Sequence, residues 1–200
     1  MNNPKEYSNK KFYSVKEFYK YTKDAFQSLK YMKQALKTGL IDKGFQSRIM
    51  LAVTEVNGCE MCNIFHTGEA LKSGMSNEEI KLFLSGDLAH ANVDEGVAIF
   101  FAQHYAKTKG NPDIEAWNRV VNEYGTKKSL GILGAVRAIM FGNTSGIAVG
   151  ALVSRLKFKP VKNSSFIYEL KILLSTFIFV PIAIIHSNLS KNDDLFLDAK

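Results

Sequence analysis

The sequence predicts an all-α protein, a single-domain helical bundle. Apolar residues recur every three or four positions along most of the chain, and no segment sustains the alternation of a strand. Serine-led starts and glycine-marked stops divide these runs into helix-sized pieces. With only four prolines in 200 residues, long helices meet few breakers. That length suffices for one domain with a core, and a 46% hydrophobic, 22% charged composition is ordinary for a soluble globular chain.

The elements follow in order. Ser14-x-x-Glu17 is a capping box, and Val15, Phe18, Tyr19, Thr22, Phe26, Leu29, Met32 and Leu36 then mark one amphipathic, basic helix over 14–38, ended by Gly39. A second helix is expected from about Ile41 to Val56, with Asn57-Gly58 as its stop. A third starts near Cys59 and ends before Gly74. Ser76-x-x-Glu79 caps a short helix closing near Gly86. Residues 93–107 are helical again, and Pro112-Asp113 opens a helix that carries Trp117 and closes near Gly125. From Gly131 to Leu156 the chain is rich in Gly and Ala, as close helix packing requires, with a kink or break expected at Gly142-Asn143. The last, apolar helix runs from about Ser165 to His186, and residues 190–200 read as a loose tail.

Charge is uneven. The net charge is +7, and residues 1–43 hold ten lysines against four acids. Lysines interleaved with Tyr and Phe at helical spacing suit either a solvated face or contact with an acidic partner or anionic surface. No nucleic-acid motif accompanies them. The run from Ile172 to Ile185 has no charge, but its fourteen residues fall short of the roughly 20 that span a bilayer. Glu169 and Lys171 precede the run, and Pro181 interrupts it. It reads as a buried helix or an oligomer contact rather than a membrane anchor.

Both cysteines lie in one C-x-x-C, and the polar start MNNPKEYSNKK is no signal peptide. A secreted disulfide framework would spread its cysteines, so the pair reads as a redox or metal motif in a reducing compartment, the cytoplasm. On a helix beginning near Cys59, the offsets of Cys59, Cys62 and His66 (i, i+3, i+7) put two sulfurs and an imidazole on one face. Two cysteines so spaced can close a disulfide with modest backbone movement. A thiol of ordinary pKa, about 8.5, is only a few per cent thiolate at neutral pH. The helix dipole and a protonated His66 would both raise that fraction, and an imidazole can accept and return a proton. Cys62, one turn from His66, is the expected nucleophile. Cys59 is the expected resolving thiol, the one that meets the reductant. Glu55 is a candidate to orient His66 or carry protons if the chain turns back at Asn57-Gly58. A metal site is the competing reading of the cysteines, but the sequence offers no second C-x-x-C, and His90, His104 and His186 are isolated.

The stretch AVTEVNGCEMCNIFH (52–66), followed by TGEALKSGMSNEEI (67–80), resembles the alkylhydroperoxidase D-like branch of the carboxymuconolactone decarboxylase family over roughly residues 30–155. The resemblance implies an all-helical fold of the alkylhydroperoxidase D-like type that assembles into trimers, hexamers or larger oligomers. It implies peroxide reduction or thiol–disulfide exchange, with Cys62 attacking the peroxide, Cys59 as its partner and His66 as the motif histidine. Electrons would come from a lipoyl-bearing or thioredoxin-like dithiol protein, and no bound cofactor is required. The chain departs from the pattern at two positions. Ser47 stands where peroxidase members often carry a glutamate, and Met61 stands between the cysteines where some carry histidine. The expected function is thus a thiol-dependent antioxidant oxidoreductase acting on hydroperoxides. The alternatives are a protein disulfide reductase or relay, and a non-enzymatic, metal-holding helical module.

Overall fold

The computed structural model describes residues 10–84 and 93–189. These form α1 (Val15–Lys37), α2 (Lys43–Asn57), α3 (Glu60–Lys72), α4 (Asn77–Leu84), a 3-10 turn (Val93–Glu95), α5 (Gly96–Lys107), α6 (Ile114–Leu156) and α7 (Phe166–Leu189), with no strand among the described residues. His90, Gly86 and the tail 190–200 lie outside them.

The boundaries come from local chemistry. Ser14 and Glu17 close a reciprocal capping box at the start of α1, and Gly39 leaves its end with φ 72°. Asp42 accepts from the Phe45 amide to start α2, and Asp113 accepts from the Ala116 amide to start α6.

α6 is the central element. Its buried ridge, including Ile132, Leu133, Val136, Ile139 and Met140, meets α1 on one side and α2 and α5 on others. Close approach to α1 depends on Gly134, where a Cβ would stand 2.8 Å from the Ser28 carbonyl oxygen and 2.9 Å from the Met32 Cβ. Arg137, buried in this seam, donates to Tyr105 Oη (3.2 Å) and Ser28 Oγ (2.9 Å), so its charge enters the core with partners.

One expectation about a break is corrected. α6 does not break at Gly142-Asn143; its single interruption is Gly125, with φ 70° and ψ 160°, where the sequence marks a helix end. The Gly142 region stays straight because α3 and α2 pack across it, whereas Gly125 is exposed, with nothing within 4 Å of where its Cβ would stand. α7 runs through Pro181 to Leu189, as the helix expected over about Ser165 to His186 requires. Pro181 is on the exposed face, where solvent reaches the carbonyl its ring leaves without a helical donor.

A second expectation fails in part. α7 is not a buried helix. Its inner face puts Ile172 and Ala183 against α1 and α6, and Phe18 meets both Phe141 (5.7 Å between centroids) and Phe179 (5.9 Å). Its outer face is bare: Leu174, Phe177 and Ile178 are each more than half exposed.

Candidate thiol–disulfide site

The site begins at the end of α2. Gly58 takes a left-handed conformation (φ 70°, ψ 33°), and its amide donates to the Thr54 carbonyl, which turns the chain out of α2. Asn57, fully buried, fixes that turn. Its Oδ1 accepts from the buried Tyr13 hydroxyl at 2.7 Å, its Nδ2 lies 3.3 Å from Met140 Sδ, and its carbonyl accepts from the Lys11 amide at 3.2 Å. The segment before α1 therefore laces the turn to the core.

Cys59 follows as the N-cap of α3. Its sulfur accepts from the Cys62 amide at 3.4 Å. The two cysteines form a disulfide, with Cα atoms 5.3 Å apart. Cys59 is fully buried and Cys62 half-buried.

The sulfurs rest on α6 at Gly146. A Cβ built there would stand 2.8 Å from both sulfurs, so any side chain would displace the pair. Cys62 Sγ also lies 3.5 Å from the Gly142 carbonyl oxygen, an acceptor for the thiol once the pair is reduced. Met61 packs over Gly150 one turn further on, its Sδ 3.5 Å from where a Cβ would be. This seat was not visible in the sequence. The Gly- and Ala-rich run marked close packing there, but nothing local tied it to the cysteines some 80 residues earlier.

His66 lies one helical turn beyond Cys62, on α3, with its ring edge-on to Phe65 at 5.1 Å. Burial lowers its pKa below the usual histidine value, and nearby Glu69 only partly opposes the shift. At neutral pH the ring is therefore neutral, a proton acceptor rather than the imidazolium anticipated above. Glu55 is half-buried, and burial raises its pKa against the opposing charges of Lys107 and Lys11. The carboxylate whose charge acts on His66 is Glu69, while the charges acting on Glu55 are those of Lys107 and Lys11.

The expectation that Cys59 meets the reductant does not fit its burial. An incoming thiolate must reach a sulfur in line, and Cys62 is the accessible one. Ser47 is buried within α2, and the neighbouring Gln46 side chain contacts Met32 Sδ at 3.2 Å. His104 is paired with Asp113 (2.8 Å), and His186 with the Tyr19 hydroxyl (3.1 Å). Among the described residues, no three of His, Cys, Asp and Glu gather as a metal site would need.

Fold and site together define a class: an all-helical protein presenting a C-x-x-C pair at a helix start, with a histidine one turn on. Residues 23–102 match the model of the carboxymuconolactone decarboxylase family, which includes alkylhydroperoxidase D-like proteins. The matched stretch runs from the middle of α1 into α5 and contains the whole motif, so the resemblance read from the sequence holds there. Neither the curated proteins nor the solved structures include a significant match.

Proposed function

We propose that the protein is a thiol-dependent oxidoreductase that reduces hydroperoxides through Cys62 and Cys59, with His66 as proton-transfer partner. The observation that carries this reading is the bridged pair at the start of α3, one sulfur buried and the other within reach of solvent, with a histidine one helical turn further along the same helix. The family match is consistent with such an activity.

In the cycle, neutral His66 takes the Cys62 thiol proton. The thiolate attacks the terminal peroxide oxygen, the O–O bond breaks, and the alkoxide leaves with the proton held by His66. Cys62 is now a sulfenic acid and the product an alcohol, or water when the substrate is hydrogen peroxide. Cys59 sulfur attacks Cys62 sulfur, hydroxide departs as water, and the pair holds the two electrons' worth of oxidation as a disulfide. A lipoyl-bearing or thioredoxin-like dithiol then attacks Cys62. Cys59 leaves as thiolate, favoured by the Cys62 amide and the positive end of the α3 dipole, and the donor leaves as its own disulfide. The cycle suits a reducing compartment such as the cytoplasm, and a homo-oligomer of the kind the family builds.

Ser47 favours a second reading. With a buried serine where peroxidase members often carry a glutamate, the chain offers no carboxylate at that position for the peroxide step. A disulfide reductase or relay needs only the pair. Hydroperoxide consumption with a dithiol reductant decides: the peroxidase reading expects turnover in the wild type and none in Cys62→Ser. Undiminished turnover in Cys62→Ser overturns the assignment, and exchange with protein disulfides in the absence of peroxide turnover selects the relay.

A further inference from the structure

The bare face of α7 and the lysines around it are not used by the redox site. α6 and α7 are both long and apolar, but 67% of the most apolar stretch of α6 is buried, against 11% of that of α7. α6 is therefore a core helix and α7 is not. Over its 24 residues, about 36 Å, α7 turns Ile167, Leu174, Phe177, Ile178 and Ile185 outward, each more than half exposed. An apolar strip of this extent exceeds the scattered exposure of ordinary surfaces and marks an interaction site.

The surroundings say which kind. The loop leading into α7 carries Lys157, Lys159 and Lys162, all exposed. Between the first two, Phe158 is 94% exposed and held in the left-handed region at φ 59°, a conformation that costs a bulky residue about 1 kcal/mol or more. The nearby acid is consumed: Glu169 is buried in a two-pronged pair with Arg155 (2.9 Å each) and accepts from Ser164 (2.7 Å). At the other end of α7, His186 meets Tyr19, and Lys16 and Lys23 stand one turn either side of Tyr19 on the same face of α1. Along this part of α1 the acids are also occupied, Glu17 by Lys109 and Asp24 by Lys20.

An apolar strip bracketed at both ends by lysines, with an aromatic pushed out beside one cluster, matches the two layers of an anionic bilayer surface: acyl chains below, phosphates above. We propose that α7 and its flanking lysines dock this protein, in the plane of the interface, on membranes rich in anionic lipid. The inner face of α7 stays packed on α1 and α6, so the helix lies along the surface and does not cross it. This gives the lysine-rich first helix a partner, and it stands whether or not the redox reading does.

Vesicle co-sedimentation of the full chain tests the proposal. Phosphatidylcholine vesicles containing phosphatidylglycerol should bind the wild type, pure phosphatidylcholine much less, and added salt should release it. Removing lysines 157, 159 and 162 by substitution with Gln should weaken binding about fivefold per lysine, and Phe177→Glu with Ile178→Glu should abolish it. These side chains are exposed, so helical content by circular dichroism should be unchanged. Cys62→Ser should bind as the wild type does, which separates docking from the redox reading. Failure to bind anionic vesicles overturns the proposal, as does binding that the α7 substitutions leave intact. So does a wild type that ignores vesicles while the same substitutions turn an oligomer into monomers, which would assign the strip to a second copy.

Discussion

Gly146 and Cys62 are placed so that α6 has room for the sulfur but not for one more carbon. A Cβ on Gly146 would lie 2.8 Å from the Cys62 sulfur and equally close to that of Cys59. The sulfur contacted is the tethered end of a disulfide, which cannot swing aside as a flexible side chain would. Gly146→Ala should therefore destabilise the oxidised protein by about 1–3 kcal/mol, the usual cost of overpacking. The reduced protein should suffer less, because free thiols can rotate away. Chemical denaturation of both forms checks this, and an equal loss in both would mean that the contact is not with the bridge. Gly150→Ala is the control: its Cβ meets only Met61, at 3.5 Å, and it should be neutral or gain up to about 1 kcal/mol in helix propensity.

The two cysteines should differ in reactivity. Cys59 is fully buried and Cys62 only half so. In reduced protein, iodoacetamide should label Cys62 well before Cys59, as read by peptide mass spectrometry. Labelling of Cys59 first would reverse the assigned roles and place the nucleophile at the N-cap.

Acid should silence the pair through His66. Burial holds its pKa below 6.5, so the neutral ring persists to pH values where an exposed histidine is already charged. If the ring accepts the Cys62 proton, turnover should be flat across neutral pH and fall only below the ordinary histidine range. Glu69 pulls the other way, so Glu69→Gln should move that acid limb lower still. For stability the sign is the same. A folded pKa below the unfolded value leaves the fold at full strength above about pH 6.5, and the contribution is lost as pH falls towards the folded pKa. An acid limb that survives His66→Gln would remove the histidine from the proton path.

Legibility divides along range in sequence. The turn at Gly58, the N-cap at Cys59 and the ridge that carries Cys62 and His66 are set by neighbours within a few residues, and spacing alone located them. Gly146 could not be found that way, because its constraint comes from sulfurs more than 80 residues distant. The neutrality of His66 depends on how much protein covers it, which no spacing reports. α7 shows the limit most clearly. Its run of apolar residues looks the same whether the neighbouring chain covers it or not, so a helix read as buried or as an oligomer contact proved to have one bare face. Along α6 the sequence marked two breaks and only the one at Gly125 formed: Gly142 and Gly125 carry equal local permission to bend, and packing by α2 and α3 holds the former straight.

Glu55 should prove separable from the histidine. Its charge neighbours are Lys107 and Lys11, and burial raises its pKa. Glu55→Gln removes a half-buried charge and should leave both the acid limb of turnover and the labelling order of the cysteines unchanged. A pH profile displaced by this substitution would restore Glu55 to the proton path.

Tyr13 offers a last test, because it reaches the site without touching a sulfur. Its hydroxyl donates to Asn57 Oδ1 at 2.7 Å in a buried setting, and its backbone amide donates to the Tyr168 hydroxyl at 3.3 Å. One residue thus ties the turn before Cys59 to α7. Tyr13→Phe keeps the ring against Tyr21 but leaves the Asn57 oxygen buried without that donor, a loss of about 1–3 kcal/mol. The turn it holds delivers Cys59 to its N-cap position, so the reduced pair should also re-form its disulfide more slowly. Urea denaturation and timed thiol counts after reduction measure the two effects. Slower closure with unchanged stability would mean that the hydroxyl acts on the turn alone, and lower stability with unchanged closure would mean that Gly58 and Cys59 hold their geometry without help from the segment before α1.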